Sequence, residues 1–418
     1  MPHTVTLDSR LSLHVARQPI IDRDRQVHAY ELLYRGHRLD RTCNAPADLA
    51  AARVVTDALL AIGLDTLTGG APAFINFTRR LLIDGAAALL PPEAVVIELL
   101  ETISVDDQVF AACEDLKAQG YTLALDDFVA GSDAEALLPF ADYVKLDVLD
   151  PAPDVWQPVA RRLRAASKRV VAERVETPEI ADLAAAAGCT LFQGFYFCRP
   201  STYDAAALPA GQLTYLNLFA AVNRPDLTIA DLETLVKRDV SLTLRVLRSV
   251  NSSAFGIARE ITSVRHALVM MGVAQVRRWT SIWALAGLNG GRISEVMAMA
   301  LLRARTCEIV GEAWAGPDAA GELFLLGLCS MLDAILDRPL EQAVAALPLA
   351  PAVRDALLGV RSPMRTVLDA VEAHERGNWD AAIAAAATLG LAGSIVPAAY
   401  TRSLTWARDV AACAEQAA

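Results

Sequence analysis

The chain has 418 residues, enough for two or more domains, since single cores stop growing at about 250–300 residues. Its 54% hydrophobic content can fill sizeable cores and excludes wholesale disorder. A net charge of -11 and a pI near 5.1 speak against general nucleic-acid binding, which depends on Lys and Arg neutralising phosphates.

The N-terminal MPHTVTLDSR carries no apolar signal core. From residue 11 to residue 200, short apolar runs alternate with Ala- and Leu-rich amphipathic segments. The first two runs, LSLHVARQPII and VHAYELLYR, are separated only by DRDRQ. That is too short for a parallel crossover, so they are expected to form an antiparallel hairpin. Six more runs follow: APAFINF, AVVIELLE, YTLALDD, DYVKLDV, RVVAERV and TLFQGFYF. Helical patterns such as DQVFAACEDLKAQG lie between them, which implies parallel strands. Eight runs in this length predict an α/β fold, a TIM-like β/α barrel with an antiparallel first strand, over residues 1–200.

Pro200, Pro209 and Gly211 mark a linker at residues 201–212. Helical periodicity then dominates to the end, which predicts an all-α domain over 213–418. Thr228 and Asp231 have the spacing of a capping box. Arg277 and Arg278, the nearest thing to a basic patch, read as a solvated helix face. The uncharged stretch from Ala381 to Thr401 is mostly alanine, broken by Gly390, Gly393 and Pro397, and reads as two buried helices with a turn, not as membrane insertion. Seven cysteines without a C-x-x-C pair fit free thiols in a reducing cytoplasm.

The stretch YELLYRG places a charge, Glu31, inside an apolar run. Such a charge costs several kcal/mol unless it is paired. Its candidate partners stand at the ends of the other runs: Asn76, Glu98, Glu101, Asp126, Asp127, Lys145, Asp147, Glu173, Glu176 and Gln193. In a β/α barrel these ends converge on one face. Converging carboxylates repel unless cations neutralise them, and oxygen donors with an Asn suit Mg²⁺ or Mn²⁺. Helix capping is the alternative for Asp127 or Asp147.

The ordered motifs RQPI, YELLYR, FINF, IELLET, LDDF, VKLD, AERVET and QGFYFCRP resemble the EAL domain, a family of cyclic di-GMP phosphodiesterases. RDVSLTLRVLRSVNSSAFG, ITSVRHALVMMG and FLLGLCSMLDAIL resemble the HDOD domain, a helical relative of the HD phosphohydrolases. The pairing is similar to the YuxH-like bacterial signalling proteins. The resemblance implies metal ligands at Glu31, Asn76, Glu98, Asp126, Asp127 and Glu173, in a two-metal site. It implies catalytic roles for Lys145, Glu173 and Glu176, substrate contacts from Gln18, Arg35 and Gln193, and a loop-organising role for Glu101. The implied reaction is hydrolysis of cyclic di-GMP to pGpG. A barrel homodimer and a protein partner for the HDOD domain are further expectations.

Three departures from the family pattern bear on activity. The loop reads DDFVAGSD where D-D-F-G-T-G-Y-S is usual, so Val129 and Ala130 replace Gly and Thr. Arg174 stands where Gly is typical and would set a long cation between Glu173 and Glu176. Leu32 replaces the signature alanine, a minor change. These changes imply a slow or conditional phosphodiesterase; the alternative is a non-catalytic cyclic di-GMP receptor or scaffold with HDOD as its output. In the helical half neither His266 nor His374 is followed by Asp, so no hydrolysis is expected there.

Overall fold

A computed structural model of the chain describes residues 11–38, 63–194, 215, 218–224, 227–237, 263–288, 295–336, 338–345, 347 and 349–416. The linker at 201–212, the side chain of Arg35, the end of QGFYFCRP and the motif RDVSLTLRVLRSVNSSAFG lie outside the described residues. The chain divides into two compact units that are not contiguous in sequence. One comprises Met1–Cys198 with Glu372–Ala384 and Ala392–Thr401; the other comprises Arg199–Val371 with Ala385–Leu391 and Arg402–Ala418.

The first unit is a closed eight-stranded barrel in the order β1 to β8. Strands β1 (Leu11–Asp22) and β2 (Val27–Arg38) form the expected hairpin. The other strands are β3 (Ala73–Phe77), β4 (Val95–Leu99), β5 (Thr122–Leu125), β6 (Tyr143–Asp147), β7 (Arg169–Glu173) and β8 (Leu191–Phe192). All neighbours from β2 to β8 are parallel, and β1 is antiparallel to both β2 and β8. Each of the eight apolar runs became one strand. Crossover helices include α1 (Leu64–Thr68), α2 (Arg79–Ile83), α3 (Asp107–Ala118), α4 (Pro153–Ala165) and α5 (Pro178–Ala187). The start of α3 is fixed by Asp106, whose carboxylate accepts from Gln108 N and Val109 N, satisfying amides that have no partner within the helix.

One buried residue per strand fills the barrel: Ile20, Ala29, Phe74, Val96, Ala124, Tyr143, Val171 and Leu191. Because side chains in a strand alternate with a period of two, the residues two positions on share this inward face. That spacing carries the site.

The second unit is helical. Its described helices include α6 (Ile229–Lys237), α7 (Val264–Leu288), α8 (Glu295–Ala315), α9 (Pro317–Cys329), α10 (Leu332–Leu336), α11 (Leu340–Ala345) and α12 (Pro351–Leu357). The predicted capping box is present: Asp231 N donates to Thr228 Oγ1 at 3.2 Å, and Thr228 N donates to Asp231 Oδ2 at 3.0 Å. Arg277 and Arg278 are not a solvated face. Arg277 donates to the Arg224 carbonyl at 3.0 Å, and Arg278 is only 19% exposed and pairs with Glu308. The cause is tertiary: Glu308 on α8 is itself buried and needs a counter-charge. His266 is exposed, and Asp333 accepts from Ala334 N at the start of α10.

Three further helices follow: α13 (Pro363–Glu375), α14 (Trp379–Thr388) and α15 (Ile395–Gln416). The last two, separated by a turn, account for the alanine-rich stretch. Among the described residues no helix is long and apolar enough to cross a membrane. Cys113, Cys189, Cys307 and Cys329 are buried free thiols.

Candidate active site

Two residues beyond the apolar layer, every strand or its extension presents a polar residue. They are Gln18, Glu31, Asn76, Glu98, Asp126, Lys145, Glu173 and Gln193. On β1 the offset runs backwards because that strand is antiparallel. A whole polar layer is thus stacked on a whole apolar one, and the sequence reading had singled out all eight of its members.

Lys145, 1% exposed, is the hub. Its ammonium lies 3.2 Å from Glu31 Oε2, 3.0 Å from Asp126 Oδ1 and 2.7 Å from Glu173 Oε1, and it also pairs with Glu98 Oε1. Glu31 is further held by the side-chain amides of Gln193 at 2.6 Å and Asn76 at 3.2 Å. Gln193 also donates to Gln18 Oε1 at 3.0 Å. These partners are what allow Glu31 to sit within an apolar run. Tyr34, absent from the sequence reading, donates its hydroxyl to the Asn76 carbonyl and so fixes the end of β3. Its hydroxyl pKa is raised by burial and by Glu98. Only its neighbours in space reveal that role.

One ammonium cannot neutralise four carboxylates. Burial and the neighbouring acids push the Glu98 carboxyl well up, against the pull of Lys145. Glu173 is pushed up to about 8, first by burial and then by Asp126 and Glu31. Burial alone would lower the Lys145 pKa, yet the ring of carboxylates raises it. Four acceptors facing this layer, Asn76 Oδ1, Glu98 Oε2, Glu173 Oε2 and Gln193 Oε1, are buried without a hydrogen-bond partner. Each such orphan costs about 1–3 kcal/mol. Excess negative charge and orphaned oxygens together are the environment that a hard divalent cation satisfies. Beside the layer, oxygens of Glu101, Asp126 and Asp127 all lie within 4.8 Å of one another. The donor set therefore fits a metal centre.

The cavity over this layer measures about 550 Å³. Its walls include Leu33, Asp127, Arg174, Glu176, Gly194 and Arg376. A side chain at Gly194 would put its Cβ 2.4 Å from the Val175 carbonyl oxygen, so the residue after Gln193 has to be glycine. Arg174 does not stand between Glu173 and Glu176. It adopts a left-handed φ of 55°, a conformation natural to glycine, and its guanidinium turns to Asp147 at 2.8 Å and to Asp150. Asp147 also accepts from Leu149 N at 2.8 Å, closing a turn after β6; it caps no helix, because α4 begins after Ala152. Asp127 has φ 41°. Val129 is 66% exposed, and neither it nor Ala130 has a positive φ. Arg35 lies in β2 paired with His14, with its side chain outside the described residues.

The family model for the EAL domain matches residues 37–200, and that for the HDOD domain matches residues 208–335. Cyclic di-GMP phosphodiesterase CdgJ of Vibrio cholerae serotype O1 is 33% identical over 406 residues, which is 96% of this chain and 94% of that protein. The chain belongs to the EAL–HDOD family. YuxH of Bacillus subtilis (strain 168) is 32% identical over 378 residues, 88% of the EAL–HDOD chain and 92% of its own length. Among solved structures, Klebsiella pneumoniae BlrP1 in a manganese and cyclic di-GMP complex is 28% identical over 46% of this chain, with a TM-score of 0.36. The match spans 56% of that structure.

Proposed function

We propose that the EAL barrel hydrolyses one phosphodiester bond of cyclic di-GMP, giving linear pGpG, with two divalent cations, Mg²⁺ or Mn²⁺. The observation that supports it is the inner polar layer, where four carboxylates share one lysine and four acceptors lack partners. Glu31, Asn76, Glu98, Asp126 and Glu173 would hold one cation, and Asp127 with Asp126 and Glu101 the other. Bound cations would supply Lewis acidity toward the phosphodiester and the attacking water. Lys145 fixes the orientation of the carboxylates. Glu173 accepts the proton of the attacking water, with Glu176 on the same cavity wall. Gln18 and Gln193 orient the substrate from β1 and β8, and Arg35 takes a phosphate oxygen.

The enzyme is slow or conditional on this reading. The ligands are assembled, but the loop after Asp127 carries exposed Val129 and Ala130 where the family pattern has Gly and Thr. The same loop favours a second reading, a cyclic di-GMP receptor without turnover. In both, residues 213–418, apart from the segments 372–384 and 392–401 that belong to the barrel unit, form the output module with a protein partner, residues 201–212 join it to the barrel, and the protein acts in the cytoplasm, with a homodimer formed through the barrel.

The test is purified protein with Mg²⁺ or Mn²⁺ and cyclic di-GMP, following heat of binding and nucleotide products together. Appearance of pGpG with the wild type and not with Glu31→Ala supports the enzyme. Heat without product supports the receptor, and neither signal overturns both. If turnover is slow, restoring the loop with Val129→Gly and Ala130→Thr should raise kcat.

A further inference from the structure

The catalytic cavity has a wall that no strand of the barrel supplies. Arg376, just past the end of α13, lines it together with Leu33, Glu31 and Asp127. The segment carrying Arg376 belongs to the same compact unit as the barrel and is seated on β1 and β2. His374 Nε2 donates to the Val15 carbonyl at 3.0 Å. The His374 ring packs against Trp379 at 4.9 Å and Tyr400 at 4.8 Å, and Trp379 in turn packs against His14 at 5.5 Å. Gly377 turns the chain with φ 73°, and a Cβ there would lie 2.9 Å from Leu33 Cδ1. The backbone on both sides of Arg376 is therefore held against the strands that bear Gln18 and Glu31.

The charge of the cavity gives this position a use. Its other described cations are committed to carboxylates: Lys145 to the inner layer, and Arg174 to Asp147 and Asp150. A cyclic dinucleotide carries two phosphodiester anions, and only one of them can lie over the metal-binding layer at a time. The other needs a cation nearer the rim, where the remaining walls are largely acidic. Arg376 is 51% exposed there, and Glu372 of α13, 15% exposed, lies 3.5 Å from it. A guanidinium matches phosphate oxygens in a bidentate way that an ammonium does not.

We propose that Arg376 is a substrate-binding residue, taking the phosphodiester that is not being cleaved; this rests on the cyclic di-GMP reading above. The chain outside the EAL match thus completes the site and sets its preference for a ligand with two diesters.

The experiment compares wild type, Arg376→Ala, Arg376→Lys and Arg376→Glu for cyclic di-GMP, by calorimetric Kd and by KM and kcat. Hydrogen bonds to charged groups contribute about 1.5–3 kcal/mol, so Arg376→Ala should raise Kd and KM about 10- to 100-fold. The loss should fall on KM more than on kcat. Arg376→Lys should recover part of it, and Arg376→Glu should lose more. All are exposed substitutions whose folding circular dichroism checks directly. Wild-type binding with an unchanged Kd for Arg376→Ala overturns the assignment alone. A wild type that neither binds nor cleaves cyclic di-GMP overturns the proposed function, and this assignment with it.

Discussion

Both compact units bury charged side chains, and they do so with opposite signs. In the barrel, one lysine faces four carboxylates and several oxygens find no donor. In the helical unit, one carboxylate, Glu308, faces two guanidiniums: Arg278 pairs with Oε1 and Arg305 with Oε2. Each arginine also lies over an aromatic ring, Arg278 on Phe324 at 4.9 Å and Arg305 on Trp406 at 5.8 Å. Burial first, then Arg305, brings the Arg278 pKa down to about 10. Neither Glu308 oxygen is orphaned. The helical cluster carries surplus positive charge and leaves neither Glu308 oxygen unmet, whereas the barrel cluster lacks positive charge and donors. Buried charge alone does not mark a cation site; surplus negative charge with unmatched acceptors does.

Breaking each cluster should therefore give different results. Replacing Lys145 by Met keeps the stem and removes the charge that orients four carboxylates. Loss of one fixed electrostatic group typically costs about 10²–10³ in kcat, and that is the fall expected in pGpG production measured by chromatography. A second difference concerns metal. A cation that binds only the folded barrel stabilises it by about 2.7 kcal/mol at 100 times its Kd. The melting temperature should rise with Mg²⁺ or Mn²⁺ for wild type and stay flat for Glu98→Gln. By contrast, Glu308→Ala strands two guanidiniums that are 19% and 25% exposed. A fully buried pair broken on one side costs about 3–5 kcal/mol, so about 2–3 kcal/mol is expected at this partial exposure. Urea unfolding of the helical unit reads it, and the metal-induced shift of the barrel should persist in that variant.

The two regions also differ in how much their sequences disclosed. A period of two turns neighbouring strands into stacked layers, so Glu31, Glu98, Lys145 and Glu173 were legible once the runs were read as barrel strands. Asp147, a helix-cap candidate by residue type, instead closes a turn after β6. The orientation of Arg174 was not legible, because nothing local shows that Asp147 and Asp150 would draw its guanidinium aside. The pairing of Arg278 with Glu308 was not either, since two helices thirty residues apart had to be packed first. Arg376 is the extreme case. HERGNW carries no catalytic pattern, and only the seating of His374 on Val15 brings the arginine to the cavity.

That seating offers the smallest test, and it separates the anchor from the site it serves. His374 is fully buried, and burial, aided by neighbouring His14 and opposed by the hydrogen bond to Val15, lowers its pKa to about 3. In the unfolded chain the ring titrates near 6.5. Between these values the unfolded chain binds more protons than the folded one, so acid favours unfolding. The contribution of His374 is complete above pH 6.5 and declines by about 1.4 kcal/mol per pH unit as pH falls through that window. In metal-free protein Glu173, raised to about 8, acts in the opposite sense: the folded state holds the extra proton, and stability falls as pH rises from the ordinary carboxylate range through 8. The raw profile therefore mixes the two, and the difference between wild type and His374→Gln isolates the histidine. That difference in urea unfolding free energy should slope by about one proton between pH 6 and pH 4. A flat difference would mean that the ring takes up its proton while still docked on Val15, and that acid does not loosen the wall carrying Arg376.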